Sequence, residues 1–188
     1  MSLHQFIRRY IEIPDKELDA FVSLFKKKSI KKYHYLYREG DVCNELIFLN
    51  KGCLRFFYMP HEAEISVWFS FPFTIGSEIQ SYISGKPCKF SVQAIQNTEY
   101  LYLSKAAFVL ACQQQPLLNL FYNKLCEECI VDVIDRLISF QSQTADQRYL
   151  ELMKEPDYLK LIPQKYLASY LGVTPTSLSR LRRKISLF

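Results

Sequence analysis

The spacing of apolar residues changes along the chain and predicts different elements in different parts. Residues 1–30 have the helical spacing, in two pieces separated by Pro14. The lysine run at 26–28 is expected at a solvated helix end. Residues 31–108 are rich in β-branched and aromatic side chains and predict short strands at 32–38, 46–49, 54–58, 65–71, 89–95 and 99–103. Strands this short and this evenly spaced indicate a small sandwich or barrel.

Residues 115–143 predict one long helix. Between Leu117 and Ile138, apolar residues recur at steps of three and four and form a wide stripe. A stripe this wide suits a helix that buries one edge on its own domain and the other on a partner. The alternative is a core helix of a monomer. We favour a dimer seam, because a small sandwich would not cover a helix on the order of 40 Å long.

The last thirty residues predict two short helices joined by a tight turn. Gly172 follows an apolar run, where a helix end favours left-handed backbone. Thr174 is suited to an N-cap and Pro175 to the first helical position, so a second helix should begin there. At about 100° per residue, its apolar face and its polar face lie on opposite sides. The apolar face holds Leu178, Leu181 and Ile185, and the polar face holds Thr176, Ser179, Arg180 and Arg183.

Charge is concentrated in the same segment. Of the 24 Lys and Arg residues, six lie from Tyr158 onward with no Asp or Glu, so the other 18 are opposed by all 19 acidic residues. A basic patch on one module is typical of a protein that binds a polyanion. Arg180 has the chemistry to contact guanine, and Arg182 and Lys184 are expected near phosphates. The alternative is a solvated amphipathic hairpin.

Several classes of protein are not expected. No apolar run approaches the roughly 18–20 residues of a membrane span, and no signal peptide is evident. We therefore expect a cytoplasmic location with six reduced cysteines and no membrane partner. The three histidines, His4, His34 and His61, are not at ligand spacing, so no metal site and no catalytic residues are predicted. The chain is not expected to be an enzyme.

The order of these parts resembles the Crp/Fnr family of bacterial transcription regulators over nearly the whole chain. Arg38-Glu-Gly-Asp41, Leu46-Ile-Phe-Leu49 and Leu54-Arg55 look like the cyclic-nucleotide-binding β-roll of that family. Ile75-Gly76-Ser77-Glu78 lies where the family has its phosphate-binding cassette, and Gln164 to Gly172 with Leu178-Ser179-Arg180 looks like its DNA-binding helix pair. The resemblance implies a homodimer on a two-fold symmetric operator and an effector pocket between the roll and the long helix.

The chain departs from the family pattern in three ways. Cyclic-nucleotide binders of the family have an Arg followed by Ser or Thr after the short cassette helix, whereas residues 85–90 are Gly-Lys-Pro-Cys-Lys-Phe. In addition, Glu78 lies one position later after the glycine than the ribose-binding glutamate of the family. Cyclic AMP and cyclic GMP are therefore not expected. Cys126 and Cys129 share one apolar helix stripe, which favours core packing over an iron–sulfur cluster. Residues 149–161 look helical, so the usual β-wing is expected to be reduced.

Together these observations predict an α+β protein with an N-terminal antiparallel β-roll or jelly-roll sandwich, a long dimerisation helix and a C-terminal helix-turn-helix domain. The expected domains are 1–114, 115–143 and 144–188. The expected function is effector-controlled transcription regulation as a homodimer on double-stranded DNA, with RNA polymerase as a further candidate partner. The alternative is an effector-binding roll whose DNA-binding domain is weak or vestigial.

Two sets of site residues follow. The DNA-binding set is Gln164, Lys165, Thr174, Thr176, Ser177, Ser179, Arg180, Arg182 and Arg183. The effector set, for an unidentified small molecule and with no certain cofactor, is Ile75, Gly76, Ser77, Glu78, Cys88, Lys89, Phe90, Asn123 and Glu127. The hypothesis that joins them is that an effector near 75–83 changes the spacing of the two recognition helices through the long-helix pair.

Overall fold

The computed structural model describes residues 1–60 and 63–185, so His61 lies outside the described residues. Nine helices and seven strands are found in these ranges. In chain order they are α1 (Leu3–Arg8), α2 (Asp15–Ser23), β1 (Lys26–Ile30), β2 (Tyr35–Tyr37), β3 (Glu45–Lys51), β4 (Leu54–Tyr58), β5 (Ile65–Ser70), α3 (Ile79–Ser84), β6 (Ser91–Ala94), β7 (Thr98–Ser104), α4 (Lys105–Gln114), α5 (Leu117–Ser142), α6 (Ala145–Met153), α7 (Pro156–Leu161), α8 (Gln164–Leu171) and α9 (Pro175–Ile185).

The strands form two antiparallel sheets, which we call the roll. One sheet has the order β1-β7-β3 and the other the order β2-β6-β4-β5. Apolar side chains from both sheets and from α1, α2, α4 and the first half of α5 form one connected core. Alternation along β4 directs Leu54 and Phe56 into this core, and Arg55 to the opposite face. The predicted sandwich is confirmed.

The lysine run was assigned to the wrong element. Residues 26–28 do not end a helix but begin β1, which pairs with β7 from Lys26 against Tyr102 to Ile30 against Thr98. Four of its five residues are exposed, so the strand carries no apolar alternation that could identify it. Lysines on an edge strand also oppose pairing with another chain. Helix α4, capped by the Ser104 hydroxyl, was likewise not assigned from sequence.

Helix α5 has two apolar faces on opposite sides. Leu118, Phe121 and Leu125 are buried against the roll. On the other side, from the middle of the helix onward, the large apolar residues are exposed: Ile130, Val131, Val133, Ile134, Leu137 and Ile138. The predicted long helix is confirmed, and its second half projects an uncovered apolar face. None of the helices in the described residues is both long and apolar enough to cross a bilayer.

The C-terminal unit, α6–α9, is helical throughout its described residues, so 149–161 form no β-wing. Its apolar core includes residues of the roll. The cluster that includes Leu167, Leu171 and Leu178 also takes in Cys53, Phe69 and Ile95 from the outer face of the four-stranded sheet. The C-terminal unit therefore packs directly on the roll.

Candidate DNA-binding surface and its support

The turn between α8 and α9 has the geometry that its residues predict. Gly172 ends α8 in the left-handed region at φ 74°. The amide of Val173 donates to the carbonyl of Ala168 at 3.0 Å, which closes the helix end. Thr174 Oγ1 then accepts a hydrogen bond from the Ser177 amide at 3.1 Å and caps α9, whose first residue is Pro175.

The two helices pack closely through a small residue. Ala168 and Leu167 of α8 are fully buried, as is Leu178 of α9. Leu181 is buried beside them, and Ile185 is half-buried at the end of the helix. The short side chain of Ala168 permits a close crossing, so the orientation of α9 follows that of α8.

The opposite side of α9 presents donors to solvent. Thr176, Ser179, Arg180 and Arg183 are all exposed, with Lys165 exposed at the start of α8. Within residues 1–60 and 63–185, neither Arg180 nor Arg183 has an ion-pair partner. Gln164 donates from Nε2 to Ser179 Oγ and thereby joins the first turn of α8 to this face. The structure thus brings the central part of the predicted DNA-binding set together on one surface.

Two basic residues on the flank are held by α6. Arg182 is half-buried and donates from Nε to the Tyr149 hydroxyl at 3.2 Å. Lys184 Nζ lies 3.1 Å from Asp146 Oδ2. Both residues bind within the C-terminal unit, so their geometry differs from that of the exposed Arg180 and Arg183.

The C-terminal end of α8 is held by two arginines. Arg136 of α5 donates to the Tyr170 carbonyl at 3.1 Å and stacks on the Tyr170 ring at 3.5 Å. Arg148 of α6 donates to the Leu171 carbonyl at 2.9 Å. Both cations lie at the negative end of the helix dipole and satisfy carbonyls that the helix leaves unpaired. Burial lowers the pKa of Arg136, although the group remains a cation at neutral pH.

The N-terminal part of α8 rests on a buried cation of the roll. Arg55 is fully buried, donates to Ser66 Oγ at 2.8 Å and to Glu64 Oε2 at 2.8 Å, and stacks on the Tyr166 ring at 3.7 Å. Sequence reasoning did not single out Arg55, Arg136 or Arg148 for this support. Their partners are distant along the chain, so no local pattern marks them.

The predicted cassette, residues 75–78, is hydrogen-bonded to the roll and packed against it. Ser77 Oγ accepts from the Ile47 amide at 3.0 Å and donates to the Glu45 carbonyl at 2.9 Å. A Cβ on Gly76 would lie 2.3 Å from a Leu49 methyl, so this residue touches the core. Glu78 is buried and caps α3 by accepting from the Ser81 amide at 2.6 Å. Burial raises the pKa of the Glu78 carboxyl, and the bond from Ser81 opposes that rise.

Of the other predicted effector residues, Cys88 and Lys89 lie near the Glu78 carboxyl, whereas Asn123 and Glu127 lie on α5. Ile75 and Phe90 are half-buried, Cys88 is buried and Lys89 is exposed. Asn123 and Glu127 are exposed on α5, on the side away from Phe121 and Leu125. A cleft of about 750 Å³ lies elsewhere, between β5, the second half of α5 and the α8–α9 turn, and none of the predicted effector residues line it.

The cysteines and acidic residues of the described part of the chain do not form a candidate metal-binding site. All six cysteines are free, and four of them are buried. Cys126 and Cys129 are half-buried on α5, and burial raises the pKa of the Cys129 thiol to about 11. Among the described residues, no group of three or more His, Cys, Asp or Glu side chains is placed to hold a metal ion.

Comparison with known proteins agrees with this architecture. Residues 27–115 match the cyclic nucleotide-binding domain family. FixK2 from Bradyrhizobium japonicum matches with a TM-score of 0.76 and 14% identity, over 87% of this chain and 85% of that chain. A transcriptional regulator assigned to the Crp/Fnr family, from Eubacterium rectale, matches with a TM-score of 0.71 and 15% identity, over 95% and 88% of the two chains. The chain has the fold of the Crp/Fnr regulators. No curated protein sequence matches it.

Another solved structure extends the likeness. A CooA mutant from Carboxydothermus hydrogenoformans matches with a TM-score of 0.70 and 15% identity, over 89% of this chain and 78% of that chain. The fold predicted from sequence is therefore confirmed, including the roll, the long helix and the helix-turn-helix. Within this Crp/Fnr fold, residues 85–90 contain no arginine for a phosphate clamp.

Proposed function

We propose that this protein is a homodimeric, sequence-specific DNA-binding transcription regulator of the Crp/Fnr type. The observation that carries the proposal is the exposed polar face of α9, with Arg180 and Arg183 beside Thr176 and Ser179 on an N-capped helix whose other face is buried. A rigid helix with exposed donors is what major-groove recognition requires. The excess of positive charge after residue 158 supports the same proposal.

Roles within the DNA-binding set follow from position. Arg180, near the middle of the exposed face, is proposed to contact a guanine edge with both guanidinium donors. Thr176, Ser179 and Arg183 share that face and are proposed to contact bases or adjacent phosphates. Gln164, Lys165, Thr174 and Ser177 lie around the N-termini of the two helices, where phosphates bind favourably. Arg182 is proposed to reach a phosphate while its Nε remains bonded to Tyr149.

The second half of α5 is proposed to form the dimer seam. Ile130 is 59% exposed, Ile134 is 48% exposed and Leu137 is 57% exposed, at alternate steps of four and three. This is the spacing of a two-stranded coiled coil. Extending the same steps toward the N-terminus reaches Glu127 and then Asn123, so both belong to the proposed seam. An uncovered apolar row of this length is unusual on a monomer and suits a second copy of the helix.

Effector control is proposed to act through the cyclic nucleotide-binding domain without cyclic AMP or cyclic GMP. The domain match supports a small-molecule effector. Two features argue against a cyclic nucleotide: residues 85–90 lack an arginine, and Glu78 is used as a helix cap. Calorimetry with cyclic AMP and cyclic GMP is expected to give no saturable heat up to millimolar ligand. Micromolar binding of either nucleotide would contradict this part of the proposal.

DNA binding is tested by selecting sequences from a random duplex library and measuring affinity by fluorescence anisotropy. We expect a two-fold symmetric consensus. Arg180→Ala should lose about 1–3 kcal/mol of binding free energy and relax preference at one base pair in each half-site. Lys31→Ala, which removes one exposed charge from the turn between β1 and β2, is the control and should leave the consensus unchanged. Affinity no better than about 10⁻⁴ M for every sequence would favour the vestigial alternative.

A further inference from the structure

A side chain of the helix-turn-helix forms hydrogen bonds with the free edge of the four-stranded sheet. Strand β5 lies at the end of the order β2-β6-β4-β5. The amide of Ser66 donates to Ser169 Oγ at 2.9 Å, and Ser169 Oγ donates to the Glu64 carbonyl at 3.0 Å. One hydroxyl of α8 therefore pairs with two backbone groups that an edge strand otherwise leaves to water.

The same stretch of β5 is fixed from beneath by Arg55. Its guanidinium joins Glu64 and Ser66, and its upper face supports the ring of Tyr166. We call this set of five residues the α8–β5 contact: Arg55, Glu64 and Ser66 of the roll with Tyr166 and Ser169 of α8. The contact fixes the first two turns of α8 relative to the roll.

Aromatic packing extends the contact toward the end of α8. Phe69 of β5 meets Tyr170 at a ring-centroid distance of 5.2 Å, and Phe71 meets Tyr158 at 4.7 Å. Because Cys53 and Ile95 of the roll belong to the same apolar cluster, separation of the two parts would expose this surface. The C-terminal unit is thus held by the roll as well as by α5.

We propose that the α8–β5 contact positions the recognition helix, and that Ser169 is a positioning residue that sets the separation of the two recognition helices in the dimer. The inference rests on the proposed function. None of the exposed residues of α9 takes part in the contact, so its effect on DNA must pass through the placement of α8 and, through Ala168, of α9. A dimer with rigidly placed recognition helices accepts one half-site spacing, whereas loosely placed helices tolerate several.

The test is a series of operators in which the selected half-sites are moved apart or together by one and two base pairs. The wild-type dimer is expected to lose at least about tenfold in affinity for a change of one base pair, since the half-sites also rotate relative to each other. Ser169→Ala removes two hydrogen bonds, which shifts the docked equilibrium by on the order of tenfold. Its affinity should therefore vary less than about threefold across the series. Ser169→Thr keeps the hydroxyl and should restore the wild-type profile.

Amide hydrogen exchange of the DNA-free protein supplies an independent measurement. In Ser169→Ala the Ser66 amide should exchange about tenfold faster than in wild type, because its acceptor is gone. Ser84→Ala is the matched control, since within residues 1–60 and 63–185 that hydroxyl bonds only in α3 and its turn. It should change neither the Ser66 exchange nor the spacing profile.

The outcomes separate the two proposals. A Ser169→Ala profile as sharp as the wild-type profile overturns the positioning role, and so does unchanged exchange at Ser66. Wild-type protein that selects no operator overturns the proposed function itself, whatever the exchange experiment gives. Flattened spacing preference in Ser169→Ala, with rescue by Ser169→Thr, supports the inference.

Discussion

The guanidinium of Arg55 lies 3.7 Å from the ring of Tyr166, so a buried cation of the roll supports the first helix of the helix-turn-helix. The hydrogen-bond donors of Arg55 are only partly satisfied. Its Nε and Nη1 are bonded to Ser66 and Glu64, whereas Nη2 is buried with no hydrogen-bond partner among the described residues. A buried cation with an unmet donor specifies a geometry at a cost in stability.

That cost can be measured by replacing Arg55 with residues of different size. Arg55→Ala leaves a cavity beneath Tyr166 and should lower the free energy of unfolding by about 3 kcal/mol. Arg55→Met fills much of the same volume without an unmet donor and should unfold within about 1 kcal/mol of wild type. Urea unfolding followed by circular dichroism compares the two. Equal losses in both variants would mean that the charge, and not the packing, carries the stability.

The elements that sequence analysis located correctly are those whose signals are local. Gly172, Thr174 and Pro175 act within a few residues of one another, and α9 begins at the predicted proline. Strand β4 has the predicted bounds, since three of its five residues are aromatic. Strand β1 was missed because it is exposed on an edge and is defined by its pairing with β7, far along the chain.

The support of the DNA-binding surface could not be predicted for the same reason. Ser66 and Ser169 are 103 residues apart, and the bond between them joins a backbone amide to a hydroxyl, which no residue pattern encodes. The predicted link from Asn123 and Glu127 to the cassette depends on which side of α5 faces the roll. The apolar residues of that helix form one continuous pattern in the sequence, from Leu117 to Ile138, so the assignment of its two faces needed the packed structure.

The proposed seam on α5 predicts opposite effects of two substitutions. Leu137→Glu places a charge in an apolar row and should convert the dimer to monomer at micromolar concentration. Glu127→Leu replaces the charge that would meet its counterpart across the seam and should tighten the dimer, with about tenfold lower dissociation constant. Sedimentation equilibrium measures both.

The control for the seam is Val109→Glu, at an exposed apolar position of α4. It should leave the association state unchanged, because α4 is not part of the seam. If Leu137→Glu and Val109→Glu gave the same association state as wild type, α5 would not be the dimer interface.

The buried carboxyl of Glu78 predicts a pH dependence of stability. Its pKa is raised by burial above the ordinary value of 4.5, so in the folded protein it holds its proton to higher pH than in the unfolded chain. Its contribution is therefore fully present below pH 4.5 and is lost as pH rises through the folded pKa. Glu78→Gln keeps an acceptor for the Ser81 amide and should remove this dependence. The urea unfolding midpoints of both proteins are measured from pH 4 to pH 8. The two midpoints should be equal at low pH, and that of the variant should be higher at high pH. A constant difference across the range would contradict the assignment.

Gly172 should be the more sensitive of two glycines that both end helices in left-handed backbone. Gly172 has φ 74° and Gly85 has φ 69°, so alanine at either position incurs a similar backbone penalty of about 1 kcal/mol. A Cβ at Gly172 would in addition lie 3.3 Å from the Phe140 ring, whereas no atom of the described residues lies within 4 Å of a Cβ at Gly85. Gly172→Ala should therefore lower the unfolding free energy by about 1 kcal/mol more than Gly85→Ala and should also weaken DNA binding, because the turn that orients α9 must shift. Equal losses of stability in the two variants, with DNA affinity unchanged in Gly172→Ala, would show that Phe140 moves aside and that the turn does not depend on it.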